Sequence, residues 1–324
     1  MSALVSDYHY DLPPELIATR PTERRDDSRM LVLHRSEGRI EHRMFREFPS
    51  FLREGDLVAL NNSRVIKARL LTEPPGIEIF LLENLDATRW KCLVKPGRKL
   101  RPGVRVPIAG THAEVVEVLP GGERIMAFDD PPDLGKYGSM PLPPYFKRAA
   151  DADDDERYQT VYAAPPGSVA APTAGLHFTP RILAAIPHTF LTLHVGAGTF
   201  LPVKTDKLED HEMHEESYVI PPAAAAALNS ASRLVAVGTT ATRVLESQPP
   251  GPIQPGSGST RIFIHPPYTF RHTAALLTNF HLPGSTLLML VSALAGRETT
   301  LHAYREAIRE RYRFYSYGDC MLIV

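Results

Sequence analysis

Hydrophobic and polar positions follow different patterns in the two halves of the chain. Between residues 65 and 126, short apolar runs recur roughly every ten residues between Pro and Gly turn signals, a spacing typical of a small all-β barrel or sandwich. These runs lie at 77–82, 90–94, 104–106, 113–118 and 124–128.

Strands and helices alternate after Tyr158. Thr179 followed by Pro180 is a helix-start signal, Ser285 can cap a later helix, and Gly296 can end it. We predict helices at 181–186, from 222, from 238 to 246, at 286–295 and at 301–313, and strands at 189–195, 234–237, 261–264 and 274–277. Further strands are predicted at 30–33, from 40 and at 57–60.

Together the two patterns predict an α/β main domain with an inserted small all-β barrel domain. The α/β domain would be discontinuous, formed by residues 1–65 and 148–324, and the barrel would occupy 66–147. The acidic run at 151–156 is predicted to be a linker or a helix start rather than a site.

Composition and charge exclude several classes of protein. The 30 prolines in 324 residues rule out an all-helical bundle. A net charge of −1 rules out a globally basic nucleic-acid binder, although not a local basic patch. Two distant cysteines cannot form a disulfide framework. With no signal-peptide pattern and no uninterrupted membrane span, we expect a cytoplasmic protein without membrane contact.

A first candidate loop is LHVGAGTF at 193–200, which follows a predicted strand. It contributes His194, Gly196, Gly198 and Thr199. A dinucleotide fingerprint needs a third glycine where Leu201 stands. A tight structural turn and a close backbone approach to a ligand therefore both remain open.

A second candidate loop carries His211, His214 and Glu216. The histidines are three residues apart, whereas a zincin helix needs a spacing of four, so no metal is predicted. A polar surface turn and an acid–base cluster are the remaining interpretations, because a carboxylate beside an imidazole suits proton transfer.

Three further polar loops stand at predicted strand ends. Hydroxyl and backbone N–H groups at a helix start, together with a guanidinium, suit a ligand anion or hydroxyl, although simple capping is an equal alternative. The other two loops carry a histidine and polar side chains that are more often structural than catalytic. The residues are Thr239, Thr240 and Arg243; Asn279 and His281; and Asn62 and Arg64.

A basic stretch at 91–105 carries six cations and no acidic residue. A solvated face and a surface for a phosphate backbone are both compatible with it. We predict that the stretch lies apart from the candidate loops and binds RNA through Lys95, Arg98, Lys99 and Arg101.

These loops, with other stretches in the same order, resemble the family of S-adenosylmethionine:tRNA ribosyltransferase-isomerases of queuosine biosynthesis. The matching stretches include YHYDLP at 8–13, MPLPPY at 140–145, APTAGLHF at 171–178, VGTT at 237–240 and TNFHLP at 278–283. One departure is Asn62-Ser63, where the family usually has Asp-Thr.

The resemblance implies that S-adenosylmethionine is a consumed substrate rather than a resident cofactor. Its ribosyl part would be transferred to 7-aminomethyl-7-deazaguanine (preQ1) at the wobble position of a tRNA with a GUN anticodon. Epoxyqueuosine would form, and adenine and methionine would leave. We expect a monomer whose partners are this tRNA and S-adenosylmethionine.

The resemblance also suggests roles for the loop residues. A base must take a C5′ proton beside the sulfonium, and His211, His214 and Glu216 are candidates. The departing adenine needs a proton, for which His177, His194 and His281 are candidates. Arg243 with the two threonines suits the methionine carboxylate. The other expected substrate-binding residues are Gly196, Gly198, Thr199, Asn279, Asn62 and Arg64.

Two other classes of protein remain as alternatives. A conventional S-adenosylmethionine-dependent methyltransferase would use the glycine loop and release S-adenosylhomocysteine. A non-catalytic tRNA-binding protein would use the barrel and the basic stretch, and it would leave the histidine loops without a purpose.

Overall fold

The computed structural model of the protein describes residues 4–196, 198, 203 and 205–324. Within these ranges the chain forms two large sheets, one small sheet and a set of mostly short helices. The strands are β1 Arg29–His34, β2 Arg39–Met44, β3 Asp56–Asn61, β4 Arg64–Val65, β5 Arg69–Leu71, β6 Glu78–Asn84, β7 Arg89–Lys95, β8 Arg105–Ile108, β9 Thr111–Val118, β10 Arg124–Phe128, β11 Pro166–Ser168, β12 His188–Leu193, β13 Glu216–Ile220, β14 Arg233–Val237, β15 Gly256–Thr260, β16 Thr273–Asn279 and β17 Cys320–Ile323. The helices are α1 Leu134–Tyr137, α2 Ala152–Arg157, α3 Pro180–Ala184, α4 Pro222–Ser230, α5 Gly238–Ser247, α6 Thr286–Ala295 and α7 Arg297–Arg309.

A nine-stranded sheet organises the first and last parts of the chain, in the order β15-β13-β12-β3-β14-β16-β17-β1-β2. Strands β12, β3, β14 and β16 pair in parallel, and antiparallel pairs flank them on both sides. Alternate residues of β1 enter two separate cores, Leu31 on one face and Met30 on the other. Because both faces are covered, the central strands are apolar runs rather than alternating ones.

Helix-start signals in the sequence are confirmed by side-chain caps. The Oγ1 of Thr179 accepts a hydrogen bond from the N–H of Ile182 at 3.3 Å, and the Oγ of Ser285 accepts one from Leu288 at 3.2 Å. The acidic run becomes α2, whose first turn is closed by a capping box between Asp151 and Asp154. The final helix begins directly after Gly296, four residues before its predicted start, and ends at Arg309.

A six-stranded antiparallel sheet, in the order β5-β6-β7-β10-β9-β8, is built from the short apolar runs. Its inner face packs a core that includes Ile79, Cys92 and Met126. The sheet curls until its edges touch, where an isolated bridge joins Thr72 to Ile108. The molecule thus combines a mixed α/β part with a curled β sheet, while the exact domain boundaries stay a prediction.

One strand prediction is wrong, and six described strands are missing from the predictions: β4, β5, β11, β13, β15 and β17. The strand expected at 261–264 is absent from the described chain at that point, and the pairing residues are instead Gly256–Thr260, on the sheet edge. Strand β15 has no alternation of apolar and polar residues, and β13 and β17 are too short to show a clear alternation. Sequence periodicity alone therefore does not reveal these strands. Among the described helices, none is long and apolar enough to cross a membrane.

Candidate active site

An inner cavity lies at the carboxyl ends of two neighbouring strands, β14 and β16. Strand β14 runs directly into α5, and β16 ends at Asn279. This edge is where open α/β sheets bind ligands. The residues that line the inner cavity include the predicted Thr239, Thr240, Arg243, Asn279 and His281, as well as Tyr145, Tyr158, Val195, Tyr315 and Ser316.

Several polar atoms in the wall of the inner cavity lack a partner. Within the described chain, no hydrogen bond satisfies Thr240 Oγ1, Asn279 Oδ1, or the Nε and Nη2 atoms of Arg243. These residues are only 7%, 2% and 5% exposed, respectively. A buried polar group without a partner costs free energy, so a polar ligand that supplies the missing bonds is favoured here.

Glu216 holds Arg243 in place through the Nη1 atom of the guanidinium. The Nη1 of Arg243 donates to Glu216 Oε2, and Glu216 Oε1 accepts the backbone N–H of Gly196 at 3.2 Å. Both side chains are buried. The carboxylate therefore orients the guanidinium and connects it to the glycine loop. These contacts favour a positioning role for Glu216, and its role as the proton-abstracting base stays a prediction.

An outer cleft adjoins the inner cavity, with Val195 in the wall of both. One side of the cleft is formed by the two predicted loops, through His194, Gly196, Gly198, His214 and Glu216. The opposite side comes from the six-stranded sheet, through residues of β6, β7 and the turn before β10. The structure thus brings the glycine loop and the second candidate loop together on one side of the outer cleft.

His177 and His281 are buried and uncharged. Burial lowers the pKa of His177 to about 4 and that of His281 to about 3. The side chains of Asn279 and Ser28 hydrogen-bond the two ring nitrogens of His177, and Thr278 Oγ1 lies 2.7 Å from His281 Nε2. Neither ring carries an extra proton near neutral pH, so the predicted role as imidazolium acids is disfavoured for both.

His177 also lies outside the lining of the inner cavity. It faces a smaller pocket with Arg25 and Arg157, on the other side of Ser316. Its contact with Asn279 instead makes it a support for a residue of the cavity wall.

Histidines 194 and 214 face the outer cleft. Burial lowers the pKa of His194, and its Nδ1 is buried without a hydrogen-bond partner in the described residues. His214 is exposed and lies against Gly198.

His211 packs edge-on against Phe263 with ring centroids 5.3 Å apart and lies outside the described cleft lining. Burial, and secondarily the charge of His214, lower the pKa of His211.

The fifth predicted loop makes structural contacts. Asn62 Oδ1 accepts a hydrogen bond from Thr192 Oγ1 at 2.7 Å, and Arg64 Nη2 donates to the carbonyl of Ala163 at 2.6 Å. Neither residue lines the inner cavity or the outer cleft. Thr199, predicted in the glycine loop, lies outside the described residues.

Asn61, which precedes that loop, has a role that the sequence did not reveal. Its Oδ1 accepts the N–H groups of Leu193 at 3.0 Å and Ser63 at 3.1 Å, and its Nδ2 donates to the Leu193 carbonyl. It therefore fixes the end of β12, from which His194 follows. The inner-cavity tyrosines Tyr145, Tyr158 and Tyr315 were also missed as site residues. Of these, Tyr145 ends the MPLPPY stretch that contributed to the family resemblance.

The predicted RNA-binding residues Lys95, Arg98, Lys99 and Arg101 are all exposed on the six-stranded sheet or its connections. No ion pair engages them in the part of the chain that the structure describes. The stretch is not wholly separate from the candidate loops, however. Lys91 lines the outer cleft, which corrects the expectation that the entire stretch lies apart.

A family model described as queuosine biosynthesis protein matches residues 5–323. The chain belongs to the queuosine biosynthesis protein family. Curated relatives in this family carry the name S-adenosylmethionine:tRNA ribosyltransferase-isomerase. The relative from Symbiobacterium thermophilum is 49% identical, over 99% of each chain. The relative from Thermus thermophilus is 50% identical, over 98% of each chain.

A solved structure supports the same family assignment. The crystal structure of S-adenosylmethionine tRNA ribosyltransferase from Thermotoga maritima is 39% identical and covers 98% of this chain and 100% of its own, with a TM-score of 0.56. The similarity extends over nearly the whole chain and supports a mixed α/β fold.

Proposed function

We propose that the protein is an S-adenosylmethionine:tRNA ribosyltransferase-isomerase of queuosine biosynthesis. It transfers and isomerises the ribosyl part of S-adenosylmethionine onto preQ1 at the wobble position of a GUN-anticodon tRNA, and it releases adenine and methionine. S-adenosylmethionine is consumed, so it is a substrate and no cofactor is required. The protein acts as a cytoplasmic monomer.

The observation that carries this proposal is the set of buried polar atoms without partners beside a histidine-lined cleft. Among the described residues, none hydrogen-bonds Nε or Nη2 of Arg243, while Glu216 accepts a hydrogen bond from Nη1. Two free guanidinium N–H groups match a carboxylate, so Arg243 binds the methionine carboxylate of the donor. The hydroxyl of Thr240 and the amide oxygen of Asn279 complete the polar contacts of the inner cavity.

His194 is the best-placed base for the C5′ proton. Its ring is neutral near pH 7 because burial lowers its pKa, and its Nδ1 has no competing partner in the described structure. A positively charged sulfonium acidifies the adjacent C5′ protons, so a neutral imidazole suffices to remove one. The imidazolium formed in this step holds the proton that the departing adenine needs.

The test is to incubate the protein with S-adenosylmethionine and preQ1-containing tRNA and to separate the products by chromatography. We expect adenine and methionine to be released, and the same tRNA without preQ1 should give neither. Formation of S-adenosylhomocysteine would support the methyltransferase alternative. Equal binding of tRNA with and without preQ1, with no turnover, would support a non-catalytic tRNA-binding protein.

A further inference from the structure

The outer cleft has a second wall that none of the roles above explains. This wall is the outward face of the hairpin formed by β6 and β7, with Leu82, Lys91 and Leu93 lining the cleft. Side chains alternate between the two faces of a strand. Because Cys92 fills the core of the six-stranded sheet, its neighbours Lys91 and Leu93 point away from that core and towards the cleft.

A β-bulge concentrates side chains at this position. Leu81 pairs with Cys92 and Glu83 pairs with Lys91, so the intervening Leu82 has no residue directly opposite. A bulge bends the strand and redirects its side chains, and bulges are common beside functional sites. Here the bulge brings Leu82 and Glu83 together opposite Lys91.

The charge of Lys91 is available to a ligand. It is the one Lys or Arg among the described residues that line the cleft, and no ion pair of its ammonium occurs within the described chain. Glu83 and Glu123 line the same wall and repel anions. An anion that enters there therefore needs the positive charge of Lys91. A phosphate is the anion that an RNA substrate brings.

Leu82 and Leu93 provide an apolar surface beside that cation. Both are half-buried, and neither belongs to the hydrophobic core described for this sheet. Enzymes that act on a base outside the stack hold it between aromatic or apolar side chains, and a lysine neutralises a neighbouring phosphate.

We propose that Leu82, Lys91 and Leu93 bind the acceptor nucleotide of the RNA, with its phosphate on Lys91 and its base against the two leucines. This inference rests on the proposed function, in which that nucleotide must reach His194 and His214 on the opposite side of the cleft. The six-stranded sheet is then the element that presents the acceptor.

The experiment measures equilibrium binding of preQ1-containing tRNA to the full chain over a series of salt concentrations. Lys91→Met keeps the length of the side chain and removes its charge. We expect binding to weaken roughly tenfold at fixed salt and the slope of log affinity against log salt to fall by about 0.7–0.9. Binding of S-adenosylmethionine should not change. Leu93→Ala should weaken tRNA binding without altering the salt slope.

Lys136→Met is the matched control, because Lys136 is an exposed lysine on α1 outside the cleft lining. Binding by Lys91→Met equal to that of the wild type, or a loss equal to that of Lys136→Met, would overturn the inference. Adenine release by the wild type is measured separately. If adenine release is absent while Lys91→Met still weakens tRNA binding, the proposed function fails and the nucleotide site stands.

Discussion

At the scale of single residues, the buried pair of Arg243 and Glu216 is the centre of the candidate site. The two residues are 27 positions apart in the sequence and come from different elements, α5 and β13. A buried ion pair is costly to break, because the remaining charge is left unpaired. The pair therefore fixes Nη1 of a guanidinium that lines the inner cavity, while Nε and Nη2 have no hydrogen-bond partner in the described structure.

Replacing Arg243 by alanine should weaken binding of S-adenosylmethionine by about 1.5–3 kcal/mol, the usual contribution of a hydrogen bond to a charged group. Isothermal titration calorimetry measures this loss. Adenosine lacks the methionine carboxylate, so the variant should bind it as the wild type does. The double variant Arg243→Ala with Glu216→Gln removes the unpaired carboxylate. A loss for adenosine in this double variant as well would contradict carboxylate recognition by Arg243.

A second prediction at this scale concerns His194 and pH. A base must be neutral to accept a proton, so activity should be present above the pKa of His194 and decline as the pH falls through it. Since burial lowers that pKa from 6.5, the acid limb of kcat/KM should have its midpoint below 6.5. His194→Gln should lower kcat by about 10²–10⁴.

His211→Gln is the matched control for this prediction, because His211 lies outside the described cleft lining. It should retain most of the activity and the same acid limb. An unchanged pH profile in His194→Gln, with near-normal kcat, would assign the base to another residue, of which His214 is the next candidate.

At the scale of elements, α2 is hydrogen-bonded to the segment 315–317, part of which lines the inner cavity. Arg148 binds Asp154 through two hydrogen bonds of 2.6 and 2.8 Å, and the Tyr317 hydroxyl donates to the same carboxylate at 2.8 Å. Burial opposes ionisation of Asp154, but the hydrogen bonds from Arg148, from the backbone N–H of Asp151 and from the Tyr317 hydroxyl together outweigh burial and hold its pKa at about 2. Tyr315 and Ser316, next to Tyr317, line the cavity.

Asp154→Asn should therefore destabilise the protein by about 2–3 kcal/mol, since it removes a charged hydrogen-bond partner and leaves Arg148 with only the exposed Asp151, 3.8 Å away, as an ionic partner. Tyr317→Phe removes one hydrogen bond and should cost only about 1–2 kcal/mol. Urea denaturation measures both free energies of unfolding. Equal small losses in the two variants would mean that Arg148 finds another partner and that the network does not hold the segment.

Sequence patterns predicted the elements that carry their own local signals. Helices α3 and α6 begin at caps, and the apolar runs of the six-stranded sheet are separated by turns. The strand β17 and the contact between Tyr317 and Asp154 could not be predicted in this way, because both depend on partners far away in the chain. In the site, the sequence indicated Arg243, Thr240 and His194 as candidates. It did not indicate that Arg243 and Thr240 would line the inner cavity while His194 lines the outer cleft.

At the scale of the whole molecule, a protein of net charge −1 has to hold a polyanion through local charge. The exposed cations Lys95, Arg98, Lys99 and Arg101 lie on the same sheet as Lys91. Together with Lys91 at the outer cleft, they are the local cations that the proposed binding of tRNA would use.

Replacing Arg98, Lys99 and Arg101 together by serine should raise the KM for tRNA and lower the salt slope by roughly two to three, at about 0.7–0.9 for each phosphate contact. Steady-state kinetics over a salt series measure both quantities, and the KM for S-adenosylmethionine serves as the internal control. An unaltered KM and slope would show that the stretch is only a solvated face, and the Arg305–Arg313 region would be the next surface to examine.

Strand β17 lies between β16 and β1 in the nine-stranded sheet, although among the described strands it comes last in chain order. Residues 320–323 must therefore leave the ribosome before the hairpin of β1 and β2 can join the strands that carry the inner cavity. Until then the sheet consists of two separate pieces with exposed strand edges, and such edges are prone to aggregation. Loss of residues 320–323 alone would leave the nascent protein in that divided state.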